Sequence, residues 1–477
     1  MKVLFVSSEV SPFVKTGGLA EWSFALPKAL KAKGIDVRII MPKYSEIIPD
    51  YDLNMIKLDT FGVQVGWRNQ SCQLLYMEYE GIPVYFIDNE YYFNRPGCYG
   101  YFDDGERFSY YNRAVMESVQ YMEDFSPDII HCNDWHTGII PVLLRDFYYD
   151  KPLFSKTRCV FTIHNLKYQG VFSPLILQEL LGMEMGYFTE DKLKYKDGIS
   201  FMKAGISYAD MVTTVSPTYA KEIQQPYYGE GFDAFMREKR WKLCGIVNGI
   251  DFDFYNPDTD KDIVSNFNSG TINKKAVNKL ALQKKFGLQI NDEIPLIGVV
   301  TKLIRQKGLD LITCVMEDLL KMDVQLVIIG EGDSDYQDYF KYYASTYPDK
   351  ISANICSDDS LEKTIYAGAD MFLMPSLLEP CGDSQLIAMR YGTIPIVRET
   401  GGLKDTIISY NEFTSQGNGF SFENFNAYEM LDIIKYAISM YVNKKTWNNL
   451  IASAMNVSYS LENTADEYVE LYERAMI

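Results

Sequence analysis

Residues able to handle an anion or a sugar recur in this chain just after apolar runs. Thr16-Gly17-Gly18-Leu19 follows Val3–Val6, and Thr400-Gly401-Gly402-Leu403 follows Ile394–Val397. A glycine pair at a strand-to-helix turn lets backbone approach a ligand, and the helix N-terminus behind it offers N–H groups to an anion. Read blandly, each pair only permits tight helix–sheet packing; the duplication points instead to one cleft closed from both sides around a phosphorylated molecule. Lys302-Leu303-Ile304-Arg305-Gln306-Lys307-Gly308 sets three cations behind Leu296–Val300, a positive site suited to a diphosphate on a chain of net charge −18. Glu379-Pro380-Cys381-Gly382, followed by Gln385, offers a carboxylate that can meet sugar hydroxyls or a developing cation, or else a helix cap. Asp134, within Cys132–Gly138, reads equally well as an N-cap. His164, in Thr162-Ile163-His164-Asn165, has polar neighbours at a strand end and fits ligand contact better than core. There are three histidines, each expected at a strand end, with no HxxxH pair, so a zinc site is not expected. Asp251-Phe252-Asp253 has the spacing of a metal–nucleotide carboxylate pair but falls at a domain junction, and is assigned to the hinge.

The elements that must position these residues alternate. Val3–Val6, Val37–Met41, Val84–Ile87, Ile129–His131, Cys159–Ile163 and Met211–Val215 read as buried parallel strands, with helices such as Glu21–Lys33, Arg107–Phe125 and Gly138–Phe147 between them. A second series runs through Leu296–Val300, Gln325–Ile329, Met371–Met374 and Ile394–Val397. The pattern predicts an α/β fold of two doubly wound parallel-sheet domains, which a length of 477 residues accommodates. The break falls near Val247–Asp251, and Thr464–Met476 reads as a helix packed on one domain. Ligands of such sheets sit at the carboxyl ends of the strands, where every candidate residue lies. The acidic balance argues against nucleic-acid binding. Eight cysteines without a CxxC pair fit a reducing compartment. No signal peptide and no membrane span is read, so the expected location is the cytoplasm.

Together the segments resemble the bacterial glycogen synthase and plant starch synthase family. Lys15–Ala20, Asn133–Gly138, Thr162–Asn165, Asn248–Asp251, Gln306–Gly308, Glu379–Gly382, Ala388–Thr393 and Thr400–Leu403 match family motifs in order along nearly the whole chain. The resemblance implies a GT-B fold, two Rossmann-like domains facing a deep cleft, with residues 1–245, 246–455 and a C-terminal helix at 456–477 crossing back to the first. It implies retaining transfer of glucose from ADP-glucose to the non-reducing end of an α-1,4-glucan, with no cofactor, metal or membrane. His164, Glu379, Lys302 and Lys307 become catalytic. Lys15, Gly17, Gly18, Asn248, Lys302, Lys307 and the N–H groups of Gly401, Gly402 and Leu403 become donor-binding, and Asp134 acceptor-binding. Departures cluster on the donor side. Lys302 stands for Arg, Glu21 for Asp, Leu377-Leu378 for Arg-Phe, Gly382-Asp383-Ser384-Gln385 for Gly-Leu-x-Gln, and a base-stacking aromatic is replaced near Ser357. They keep three alternatives open: a UDP-glucose donor, relaxed donor choice, or a glucan-binding regulatory paralogue. A phosphorylase would need a pyridoxal phosphate lysine and a longer chain.

Overall fold

The computed structural model describes residues 1–477 as two compact units. The first comprises Met1–Val215, Ala220–Ile246 and Leu461–Ile477; the second comprises Ser216–Tyr219 and Val247–Ser460. The main division therefore falls at Ile246/Val247. Of the segment expected to cross back, residues 456–460 stay with the second unit and only Leu461–Ile477 joins the first.

The first unit lays down β1 (Lys2–Val6), β2 (Asp36–Pro42), β3 (Ile56–Val65), β4 (Arg68–Tyr79), β5 (Ile82–Asp88), β6 (Ile129–Asn133), β7 (Arg158–Ile163), β8 (Val171–Phe172), β9 (Lys194–Tyr195), β10 (Gly198–Ser200), β11 (Met211–Thr214) and β12 (Leu243–Gly245). Nine of these form one sheet in the order β12-β11-β7-β6-β1-β2-β5-β4-β3, and β8-β10-β9 form a small one. Pairing is parallel from β12 to β5, where unbroken apolar runs are buried on both faces. It becomes antiparallel through β5, β4 and β3. This hairpin escaped the sequence reading because its strands mix exposed polar residues with buried ones.

The helix Leu461–Met476 lies on the helix Gly18–Ala32 and on β7. A buried row of hydrogen bonds fastens it to the sheet. Tyr472 Oη meets His131 Nδ1 at 2.6 Å, His131 Nε2 meets Thr162 Oγ1 at 2.7 Å, and Thr162 Oγ1 meets Thr213 Oγ1 at 2.6 Å.

The second unit holds β13 (Leu296–Val300), β14 (Gln325–Ile329), β15 (Ile351–Asn354), β16 (Met371–Met374), β17 (Ile394–Arg398) and β18 (Phe420–Phe422). They form one parallel sheet in the order β15-β14-β13-β16-β17-β18. In this unit the buried amino group of Lys275, its pKa lowered to about 7 by burial, donates to the carbonyls of Tyr366 (3.2 Å), Ala367 (2.8 Å) and Tyr391 (2.9 Å). These carbonyls close the helices Asp359–Gly368 and Ser384–Arg390, whose last C=O groups have no partner within the helix.

Candidate active-site residues in the two units

In the first unit β1, β6 and β7 are neighbours, so the loops after them gather at one edge. The buried carboxylate of Glu9, after β1, accepts from the Thr16 backbone N–H at 2.8 Å and from the Thr16 hydroxyl. It thereby pins the turn that carries Lys15 and Gly17. Lys15 Nζ meets Glu21 Oε1 at 2.8 Å in an exposed pair. Gly17 is extended, and a Cβ added there would find only Glu9 Oε1, at an ordinary 3.9 Å. Nothing in the protein itself demands glycine at this position, which leaves room in front of the turn for a ligand; Gly18 opens the helix behind it.

After β6, Asp134 takes a positive φ of 55°. Its carboxylate does not cap the short helical turn Trp135–Thr137. It accepts instead from the backbone N–H of His164 at 2.8 Å and from that of Asn165, which replaces the N-cap reading. Burial pushes this carboxyl up to about 7, the two N–H donors pull against that, and the Glu9 charge adds to it. His164, at the end of β7, sets Nε2 2.9 Å from Asn133 Oδ1, and burial lowers its pKa to about 3, so the ring is neutral.

The other two histidines are core. His131 lies within β6, which runs on to Asn133 rather than ending at His131 as expected. His136 is buried between Trp135 and Tyr99, with ring centroids 4.0 and 4.5 Å away. Burial lowers both to about 3.

In the second unit, Lys302 is exposed after β13 and Lys307 reaches back to the loop after β16. Lys307 Nζ lies 2.6 Å from Glu379 Oε2, and the Ser376 hydroxyl donates to the same oxygen at 3.0 Å. Arg305 turns away to Asp310, at 3.3 Å and largely exposed, so the expected group of three cations reduces to Lys302 and Lys307. The main chain explains why Glu379 is held. Gly308 has a φ of 73°, and a Cβ there would stand 1.9 Å from the Pro375 carbonyl oxygen. A Cβ on Gly401 or Gly402 would stand 2.1 Å from the carbonyl oxygen of Glu379 or Cys381 respectively.

The second Thr-Gly-Gly-Leu therefore corrects an expectation. Gly402 N–H donates to Pro380 O at 3.0 Å and Leu403 N–H to Thr400 O at 3.1 Å. These groups are used within the protein, and the Gly401-Gly402 pair seats the loop that presents Glu379. Gln385 holds the far side of that loop, donating to Gly382 O at 2.6 Å. Asn248 is buried with its Oδ1 unpartnered, Ser357 is exposed just beyond β15, and Asp251 Oδ1 accepts from Asp253 N–H at 2.9 Å in a local turn. Sequence reasoning missed Glu9, Asn133 and Ser376 as partners of these groups. The available signals were the position of Glu9 just past a buried first strand and that of Asn133 at the head of the Asn133–Gly138 motif.

Comparison with known proteins covers nearly the whole chain. Residues 2–238 match the starch synthase catalytic domain and residues 282–456 match glycosyl transferases group 1. A glycogen synthase of Clostridium acetobutylicum is 55% identical over 473 residues, 99% of each chain. One of Caldicellulosiruptor saccharolyticus is 54% identical over 477 residues, all of both chains. Among solved structures, the catalytic domain of Starch Synthase IV from Arabidopsis thaliana, bound to ADP and acarbose, matches with a TM-score of 0.91 and 34% identity over 99% of each chain. Sucrose-phosphate synthase from Thermosynechococcus elongatus shares the fold, with a TM-score of 0.64 at 17% identity.

Proposed function

We infer that this chain, which belongs to the bacterial glycogen synthase and plant starch synthase family, transfers glucose from ADP-glucose to the non-reducing end of an α-1,4-glucan with retention of configuration. The observation that carries the reading is the Lys307–Glu379 contact at 2.6 Å, on a glycine-seated loop in the unit that also carries Lys302. Breaking the bond between C1 of the glucose and the diphosphate passes its electrons to the departing phosphate. Lys302 and Lys307 oppose that growing negative charge, and the Glu379 carboxylate opposes the positive charge growing on C1. The acceptor hydroxyl forms the new C1–O bond and gives up its proton to the departing phosphate oxygen, which has gained the electron pair of the broken bond. Lys15 and the open Gly17 turn address the donor, Asp134 and His164 the sugar hydroxyls. Asn248 is assigned to the donor because its buried Oδ1 lacks a protein partner.

In this reading the cations of the chain, rather than a metal, meet the diphosphate. Unchanged turnover in EDTA is the expected result, and loss of turnover restored by a divalent ion would overturn it. No helix is long and apolar enough to cross a membrane. The proposed location is the cytoplasm, and the net charge of −18 disfavours a nucleic-acid partner.

The test is incorporation of label from radioactive ADP-glucose or UDP-glucose into glycogen by the purified protein. ADP-glucose is expected to be the better donor, with weak discrimination because the exposed Ser357 gives the base no ring to stack on. More efficient use of UDP-glucose would overturn the donor assignment alone. Incorporation from neither, with retained glycogen binding, would favour the regulatory reading, which the substitutions Lys302 and Leu377-Leu378 also motivate.

A further inference from the structure

The side chain of Asn133 ends β6 fully buried, with both polar atoms committed. Its Nδ2 donates to the Val6 carbonyl at 3.0 Å, an acceptor that cannot exchange roles. The amide is therefore oriented, with Oδ1 facing the ring of His164 at 2.9 Å. An oxygen there can only accept, so His164 Nε2 must carry the proton. The pair is backed by Asp134, whose carboxylate holds the backbone N–H of the same histidine at 2.8 Å. The last residue of β6 and the residue that follows it thus grip the ring and the main chain of His164 respectively, and β6 is itself paired with β1 and β7.

We propose that Asn133 is a positioning residue that locks His164 in the Nε2-protonated tautomer, so that Nδ1 presents a lone pair and His164 recognises a donating sugar hydroxyl. The opposite tautomer would set two lone pairs face to face inside the protein, a cost of the size of a buried unsatisfied polar group. Burial reinforces the choice by keeping the ring neutral well below physiological pH. The consequence for chemistry is definite. A hydroxyl that reaches Nδ1 must donate, and His164 does not hand over a proton from that nitrogen. A deoxy or O-methylated sugar lacking the matched hydroxyl proton should be discriminated against there, since a site built to pair a hydroxyl leaves a buried group unpaired when it is missing.

This rests on the glucosyltransferase reading for its substrate but not for its tautomer, and the two can fail separately. The measurement is a long-range nitrogen–proton correlation spectrum of the full chain, perdeuterated and carrying 15N-histidine. Three histidines give a readable spectrum, and His164→Gln assigns the third pattern by its loss. The expected pattern for His164 is a protonated Nε2 and an unprotonated Nδ1 at neutral pH; a protonated Nδ1, or fast averaging of the two, would overturn the proposal whatever the enzyme does. Asn133→Ala should convert that pattern to a mixture and lower kcat at least tenfold. If Asn133→Ala leaves both the spectrum and kcat unchanged, Asn133 does not position the ring. Should Asn133→Ala not fold, the spectrum of the unaltered protein still decides. A correct tautomer in a protein that transfers no glucose would sink the functional reading and leave this one standing.

Discussion

Glu379 is buried against one cation and one hydroxyl, Lys307 and Ser376, and removing the cation leaves a carboxylate in a poor place to be charged. Lys307→Ala is therefore expected to lower turnover by about a hundredfold or more and to affect the donor saturation curve more than the glycogen curve. An effect confined to glycogen would contradict the assignment. Glu379→Ala and His164→Ala should each lose about two orders of magnitude in kcat while far-ultraviolet circular dichroism stays unchanged. Asp134 adds a pH signature. Its carboxyl is raised to about 7, so it is neutral below that value and charged above it. If the charged form accepts from the glucan, kcat/KM for glycogen rises between pH 6 and 8, and Asp134→Asn flattens the rise. Since the Glu9 charge helps push Asp134 up, Glu9→Gln should move the inflection to lower pH; an inflection that does not move would show that Glu9 acts only on the Thr16 turn.

At the scale of elements, the same tetrapeptide sits in two different surroundings. A Cβ on Gly17 would meet only Glu9 Oε1, at an ordinary 3.9 Å, whereas Gly402 has a carbonyl oxygen 2.1 Å from where its Cβ would be. Gly17→Ala should then raise the KM for ADP-glucose with little change in unfolding midpoint. Gly402→Ala must push the Glu379 loop aside, costing about 1–3 kcal/mol of stability and most of kcat. Equal behaviour of the two variants in a thermal melt and a donor titration would refute the distinction. The contrast also marks how far the sequence could be read. The parallel strands were legible because burial on both faces leaves runs such as Val3–Val6 and Leu296–Val300 without a polar break. The β3–β4 hairpin was not, because one wetted face interrupts the pattern. The placement of the candidate residues just past strand ends was equally legible, since the apolar runs stop before them. What each group touches was not: which carbonyl fills the space beside Gly402, or that Asp134 reaches across to the 164–165 backbone, is decided by packing between distant segments.

Across the whole molecule the ionisable burden is uneven. All three histidines belong to the first unit, and all are held neutral by burial with pKa values lowered to about 3. Unfolding exposes them to water, where each binds a proton as pH falls below its ordinary value near 6.5. Between about 6.5 and 3 the unfolded chain thus carries more protons than the folded one, so stability is complete above that window and is lost as pH falls through it. His131 and His136, both buried, each contribute a slope approaching about 1.4 kcal/mol per pH unit, or about 2 kcal/mol by pH 5. His131 is the one whose ring also ties the C-terminal helix to the sheet, through Tyr472 on one nitrogen and Thr162 on the other. His131→Gln should accordingly be less stable than the unaltered chain at pH 7.5, because the bond to Tyr472 is broken, yet lose less stability on going to pH 5. Tyr472→Phe should cost a similar amount at pH 7.5, about 1–3 kcal/mol for the unpaired Nδ1, and keep the full pH slope. Urea unfolding followed by tryptophan fluorescence reads this out, since Trp22, Trp67, Trp135 and Trp241 lie in the first unit and only Trp447 in the second. If the His131→Gln and unaltered midpoints fall in parallel between pH 7.5 and 5, the buried ring is not what makes the first unit acid-sensitive, and the carboxylates must be.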